Sequence, residues 1–234
     1  ACELARELRV EALELRNLVP SDSGWPVKNL YFTFRKVLES DNDANLKAIP
    51  NRQRAMLRKG LKEGLFAEED PGTERIYRVY SESVRNLGTP VFGRRYLDVL
   101  REEFGTDCRV LMIRRTRDGS PVAGTDNDAL IAGVDGSTVD GEDVAGVLSF
   151  YFRGEVLPYY GGSITQARNI RGCNHFMYWE LLRRSVNEGV LAFDFGRSKA
   201  QTGPFEFKKH FGFQPEPLPY EYFLVECESV PAVN

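Results

Sequence analysis

Apolar residues return at intervals of three and four through Asn174 to Glu188, where Phe176, Trp179, Leu182 and Val186 fall on one side. That spacing follows the turn of an α-helix and predicts one with this side inward. Leu4, Ala5 and Leu8 make a shorter stripe over residues 2–9. A third helix is expected over Leu46 to Leu65, where Ile49, Ala55, Met56, Leu57 and Leu61 alternate with Lys47, Arg52, Arg54, Arg58, Lys59 and Lys62. Pro50 lies near its start, where a proline is tolerated. Glu74 to Leu87 and Arg94 to Phe104 read as two more helices, and the Asn86-Leu-Gly-Thr-Pro-Val-Phe-Gly between them reads as a helix stop and a turn.

Strand patterns alternate with these helices. Val10 to Leu15, Leu30 to Phe34 and Cys108 to Arg115 are expected strands, and Gly146 to Arg153 with Val156 to Gly161 form a hairpin turning at Arg153-Gly-Glu. Val190 to Phe195 is a buried strand ending at Gly196, and Tyr220 to Val225 is rich in aromatic and branched residues. Thr202 and Pro204 open a short helix with a capping hydroxyl and a first-turn proline, and Gly212 is placed to end it. The elements together predict a mixed α/β fold.

Strand, short helix ending in Gly-Phe, and strand resembles the closing unit of the GNAT acyltransferase fold, which implies a central mixed sheet flanked by helices. The residues Phe193-Asp-Phe-Gly-Arg-Ser-Lys199 and Thr202-Gly-Pro-Phe-Glu-Phe-Lys-Lys209 are more specific. They resemble the Fem family, which builds peptidoglycan cross-bridges with aminoacyl-tRNA as donor, and most closely its FemAB-like, PEP-CTERM/exosortase-associated subgroup. The resemblance runs from about Ala1 to Leu224. It implies an acyl or aminoacyl transferase that forms an amide bond in cell-envelope or exopolysaccharide chemistry, with Thr89, Pro90 and Phe92 at a substrate cleft.

Aligning Gly212-Phe213 with the end of the GNAT helix puts Lys208 where many CoA-dependent members carry a tyrosine. The resemblance therefore makes Lys208 a catalytic candidate, its charge suited to an oxyanion or a phosphate. Asp194 is the second, as a base or as the group that orients Arg197. Arg197, Ser198, Lys199, Tyr159, Tyr160, Phe207 and Lys209 are the expected substrate-binding residues. Read without the resemblance, Lys208 and Lys209 are helix-end charges favoured by the dipole. His175 and His210 are expected to be structural. The segment Asn169-Ile-Arg-Gly172-Cys-Asn174 keeps only the middle glycine of the Gln/Arg-x-x-Gly-x-Gly/Ala loop that cradles CoA pyrophosphate. A CoA-dependent N-acyltransferase is the first alternative, and a non-catalytic binding module of an envelope-assembly complex is the second.

Composition narrows the partners. With 42% hydrophobic residues, 15 Phe and 10 Tyr the chain has material for a core, and a net charge of −3 gives no whole-chain field for DNA. The basic helix 46–65 is a candidate face for aminoacyl-tRNA or for a nucleotide-linked envelope precursor, against the reading of a solvated helix face. Four widely spaced cysteines and two histidines argue against a metal site or a disulfide framework, and no apolar run has the length of a membrane span. A cytoplasmic protein is expected, with no cofactor of its own beyond an aminoacyl-tRNA or acyl-CoA donor.

The polar turn Asp41 to Asn45 marks a boundary. Residues 1–44 are expected to be the remnant of a first GNAT-like half, much of which is missing, and 45–234 a second, Fem-type domain. Leu30, Phe32 and Phe34 are then expected on an under-covered face that favours self-association. Val122-Ala-Gly recurs as Val144-Ala-Gly, and the acidic stretch 124–145 between reads as an insertion. Asp126, Asp128 and Asp135 offer calcium ligands there, but their spacing fits no EF-hand.

Overall fold

The computed structural model describes residues 1–21, 23–122, 130, 133 and 139–231. The chain forms two compact units, Ala1–Phe34 with Arg197–Lys209 and Gln214–Asn234, and Arg35–Gly196 with His210–Phe213.

The first unit is built on a four-stranded antiparallel sheet. Its strands are β1 (Ala12–Arg16), β2 (Val27–Thr33), β9 (Ser198–Lys199) and β10 (Glu216–Leu224), in the order β1-β10-β2-β9. Leu218, Tyr220 and Tyr222 of β10 form its small core with Tyr31 and Leu224 packed against them. Helix α1 (Cys2–Glu7) precedes β1, and α7 (Gly203–His210) follows β9. The Thr202 carbonyl accepts the first helical bond from Glu206 N at 3.0 Å, as a residue at the N-cap does. Phe205 of this helix packs edge-on against Phe32 and Phe34, at 5.4 and 5.2 Å between ring centroids. Of the Leu30-Phe32-Phe34 face expected to be under-covered, Phe34 is fully buried and Leu30 and Phe32 are half-buried.

The second unit holds a six-stranded mixed sheet in the order β3-β8-β7-β6-β5-β4. The strands are β3 (Arg35–Val37), β4 (Leu65–Asp70), β5 (Cys108–Thr116), β6 (Gly141–Phe152), β7 (Glu155–Ser163) and β8 (Ala192–Asp194). All neighbours are antiparallel except β7 and β8. Helices α4 (Glu74–Asn86) and α5 (Arg94–Phe104) cover one face, where Ile76, Val79 and Leu97 bury against Val110, Met112 and Leu148. Gly146 and Gly162 pair across β6 and β7 beneath α4. A Cβ at Gly146 would lie 2.8 Å from the Ile76 side chain, and one at Gly162 2.9 Å from that of Ser83, so these bare backbones let α4 settle onto the sheet. Helix α6 (Cys173–Asn187) packs on β4, β5 and β6. Its Trp179 is fully buried and donates its indole N–H to the Leu130 carbonyl at 2.7 Å.

A single helix over Leu46 to Leu65 does not form. The segment is two helices, α2 (Asn42–Ala48) and α3 (Asn51–Lys62), and Leu65 already belongs to β4. Ile49 precedes a proline and is extended, with φ −75° and ψ 132°, which breaks the helical run. Of the acidic stretch, residues 141–145 are the first part of β6, paired with β5. Asp126, Asp128 and Asp135 lie outside the described residues.

Candidate functional site

Strand β7 leaves its parallel partner early. Among the described residues, Glu155 and Val156 alone pair with β8, opposite Ala192 and Phe193, so from Leu157 onward β7 has one neighbouring strand there. On that side Leu148 pairs with Tyr160 but Ser149 with Pro158, which leaves Tyr159 as the extra residue of a bulge. The bulge brings Tyr159 and Tyr160 side by side, ring centroids 4.8 Å apart. The Tyr160 hydroxyl donates to the Tyr96 hydroxyl at 3.2 Å, and Tyr159 meets Phe150 at 5.6 Å. With Phe104, these rings line a cleft of about 330 Å³ between α5 and the β6–β7 hairpin. Burial, with the bond to Tyr96, pushes the Tyr160 hydroxyl well above the usual phenol range, so it remains a proton donor. On the opposite face, a Cβ at Gly161 would lie 3.4 Å from the Tyr178 hydroxyl of α6. Burial pushes that hydroxyl up to about 12.

Helix α3 packs against the cap of α6. Gly172 caps it at φ +81°, and a Cβ there would overlap the Met56 carbonyl oxygen of α3 and lie 3.2 Å from Gly60 N. His175 in the first turn meets Gln53 of α3, Nε2 to Oε1 at 2.7 Å. Burial lowers this histidine to about 4 and raises the neighbouring Cys173 thiol to about 12, so both are neutral near pH 7. The one glycine retained from the pyrophosphate loop thus serves the approach of α3.

A polar cleft of about 480 Å³ lies on the α4 side. Arg75, Arg78 and Arg114 converge on Asp143 of β6, at 2.5, 2.6 and 3.6 Å, and Arg75 also pairs with Glu68. Burial alone would raise the Asp143 carboxyl, but the bonds and charge of Arg75 outweigh it and hold it below the usual carboxylate range. Thr89 and Pro90, expected at a cleft, line a neighbouring one of about 620 Å³ with Arg78 and Arg85.

In the first unit the structure brings Lys208 and Arg197 together. The Lys208 ammonium donates to the Arg197 carbonyl at 3.3 Å and lies 5.6 Å from the centre of the Phe34 ring. The Arg197 guanidinium donates to the Tyr220 hydroxyl at 2.5 Å, lies 4.9 Å above Tyr31, and makes no ion pair among the described residues. Ser198 is buried in β9 opposite Phe32, Lys199 and Lys209 are exposed, and Phe207 is half-buried. Asp194 belongs to the second unit, where its Oδ1 accepts from Gly196 N at 2.7 Å. Tyr159 and Tyr160 are in that unit as well. Sequence reasoning missed Tyr96, Phe104 and Phe150. The signal available was the apolar content of α5, where Tyr96, Val99 and Phe104 accompany the buried Leu97 and exceed what one inward face needs.

Residues 136–209 match the model of the Acetyltransferase (GNAT) domain. No curated protein matches the chain. Among solved structures it is similar to FemX, with a TM-score of 0.67 and 14% identity over 96% of this chain and 74% of that one. It is also similar to the C-terminal domain (DUF2156) of a putative lysylphosphatidylglycerol synthetase from Agrobacterium fabrum, with a TM-score of 0.56 and 14% identity over 86% and 62% of the two chains. A GCN5-related N-acetyltransferase from Sphaerobacter thermophilus gives 0.54 and 13%, over 84% and 52%. The chain spans less than two thirds of the last two. At these identities the likeness shows a GNAT-like fold, with a mixed sheet flanked by helices. The domain match supports an acyltransferase. Among the described residues no helix is long and apolar enough to cross a membrane.

Proposed function

We propose that the protein is a Fem-like transferase that forms an amide bond from an aminoacyl ester, with aminoacyl-tRNA as donor. The observation that carries this reading is the α6 N-terminus. In a CoA-dependent enzyme of this fold that terminus is free to hold pyrophosphate, whereas here Gly172, which caps it, lies so close to α3 that a Cβ would overlap the Met56 carbonyl. The parting of β7 from β8 and the bulge at Tyr159 supply the open strand edge beside which a substrate can lie.

In the proposed reaction an acceptor amine attacks the ester carbonyl and the C–N bond forms. The Lys208 ammonium stabilises the resulting oxyanion. Asp194 is the proposed base that takes the proton from the amine, and it passes that proton to the ribose oxygen as the C–O bond breaks, so the sugar leaves as a neutral hydroxyl. Arg197, Ser198, Lys199, Phe207, Lys209, Tyr159 and Tyr160 are the proposed substrate contacts. The exposed cations of α3, Arg52, Arg58, Lys59 and Lys62, are the proposed contact for the donor's phosphates. The match of Phe193–Lys199 and Thr202–Lys209 to the exosortase-associated subgroup favours a nucleotide-linked envelope or exopolysaccharide precursor as acceptor.

The test is single-turnover transfer from radiolabelled aminoacyl-tRNA and, separately, from acetyl-CoA to nucleotide-sugar peptides. Transfer from aminoacyl-tRNA alone is the expected result. Transfer from acetyl-CoA alone would overturn the donor assignment, and binding of acceptor without transfer from either would leave a non-catalytic module.

A further inference from the structure

The least usual surface of the second unit is aromatic. Phe104 is 52% exposed and Tyr159 57%, and with Tyr96, Phe150 and Tyr160 they line the cleft of about 330 Å³. A soluble domain seldom leaves several rings uncovered in one patch without a ligand or partner for them. One charged side chain lines the cleft, Asp107, and it makes no ion pair among the described residues. Two further rings of the wall already carry guanidinium groups of the chain itself, Arg153 at 4.9 Å over Phe152 and Arg109 at 4.4 Å over Tyr151.

We propose that this cleft binds a small organic cation, a protonated or quaternary ammonium on a short apolar body. Ring faces are negative at their centres and attract a cation most where water is excluded. Asp107 adds the opposite charge at the wall. The hydroxyls of Tyr96 and Tyr160 bond to each other, so a ligand need not supply polar groups to satisfy them. A neutral alkyl chain would gain burial against the same walls but would leave Asp107 uncompensated. An amine held here is stabilised in its protonated form, so it is a recognised group of the substrate and not the attacking nitrogen. In that last respect the proposal rests on the transferase reading; the binding itself does not.

The probe is choline, with its neutral isostere 3,3-dimethyl-1-butanol as control, titrated by calorimetry and by shifts of the aromatic NMR signals of the whole protein. Choline is expected to bind about tenfold more tightly than the alcohol. Asp107→Asn and Tyr159→Leu should each weaken choline several-fold and leave the alcohol nearly unchanged. Both positions are exposed, and circular dichroism checks that each variant folds; if Tyr159→Leu does not, Asp107→Asn decides. Equal or tighter binding of the alcohol would make the cleft an alkyl or acyl site and overturn the proposal. So would absence of choline binding, or choline binding unchanged by both substitutions. Choline binding without any transfer activity sinks the transferase reading alone, and transfer without choline binding sinks this one alone.

Discussion

The two units treat their cations differently. In the second, Arg75, Arg78 and Arg114 close on Asp143, and Arg183 and Arg184 on Glu180. Those cations are held by carboxylates within the scaffold, and two of the carboxylates are nearly removed from water. In the first unit Arg197 rests on a tyrosine hydroxyl and a tyrosine ring, with no ion pair among the described residues. A neutral support of that kind positions a cation without cancelling its field. The buried ion pairs are therefore expected to matter for folding, and the cations of the first unit, with Lys208 as the proposed catalytic group, for chemistry.

The largest effect expected from this contrast is at Glu180, which is 1% exposed and 2.9 Å from Arg183. Glu180→Gln removes the buried carboxylate that pairs with Arg183 and Arg184 and should cost about 3–5 kcal/mol in a denaturant melt. An unchanged midpoint would show that the pair is dispensable. Lys208→Met should leave the melt nearly unchanged but lower aminoacyl transfer roughly a hundred- to a thousandfold, about 3–4 kcal/mol of transition-state stabilisation. Full activity in that variant would remove the chemical half of the contrast.

Asp143→Asn should cost less, about 1–3 kcal/mol, since the amide keeps an acceptor for its arginines. Its contribution also carries a pH signature. The folded carboxyl titrates below its unfolded value, so its stabilisation is present above the unfolded pKa and is lost as pH falls through the folded one. Wild type and variant should therefore differ at pH 7, and the difference should shrink as pH falls through and below the usual carboxylate range. The smallest effect is at His175. Its folded value is about 4, against about 6.5 when unfolded. The unfolded chain therefore takes up the proton first, and stability should fall as pH drops from about 6.5 to about 4. His175→Gln should remove about 1–2 kcal/mol of that fall. If the two chains lose stability in parallel over this range, His175 is not the group responsible.

Much of the fold was legible because long elements repeat their pattern. The stripes of α4, α5 and α6 and the apolar run of β5 persist long enough to set a period. Strand β4 was hidden because its six residues follow α3 directly, and Leu65 extends that helix's apolar stripe. Strand β9, two residues long, has no period at all. For the candidate site, adjacent residues were legible and dispersed ones were not. Tyr159 and Tyr160 stand together in the chain, while Tyr96, Phe104 and Phe150 reach the same cleft from α5 and β6 only after folding. Likewise Gly172 looked like part of a ligand loop, and only the position of Met56 gives it another purpose.

The strand order of the first unit sets a timetable for the ribosome. Strands β1 and β2 come long before their partners: among the described residues β1 pairs with β10, and β2 with β10 and β9. Neither can find these partners until residues 198–224 have left the exit tunnel, whereas every described strand of the other sheet is complete by Asp194. The second unit therefore has all its strands while the first still trails two open edges, and contacts so distant along the chain form slowly. During that interval β1 and β2 present unpaired backbone of the kind that chaperones cover and aggregation exploits.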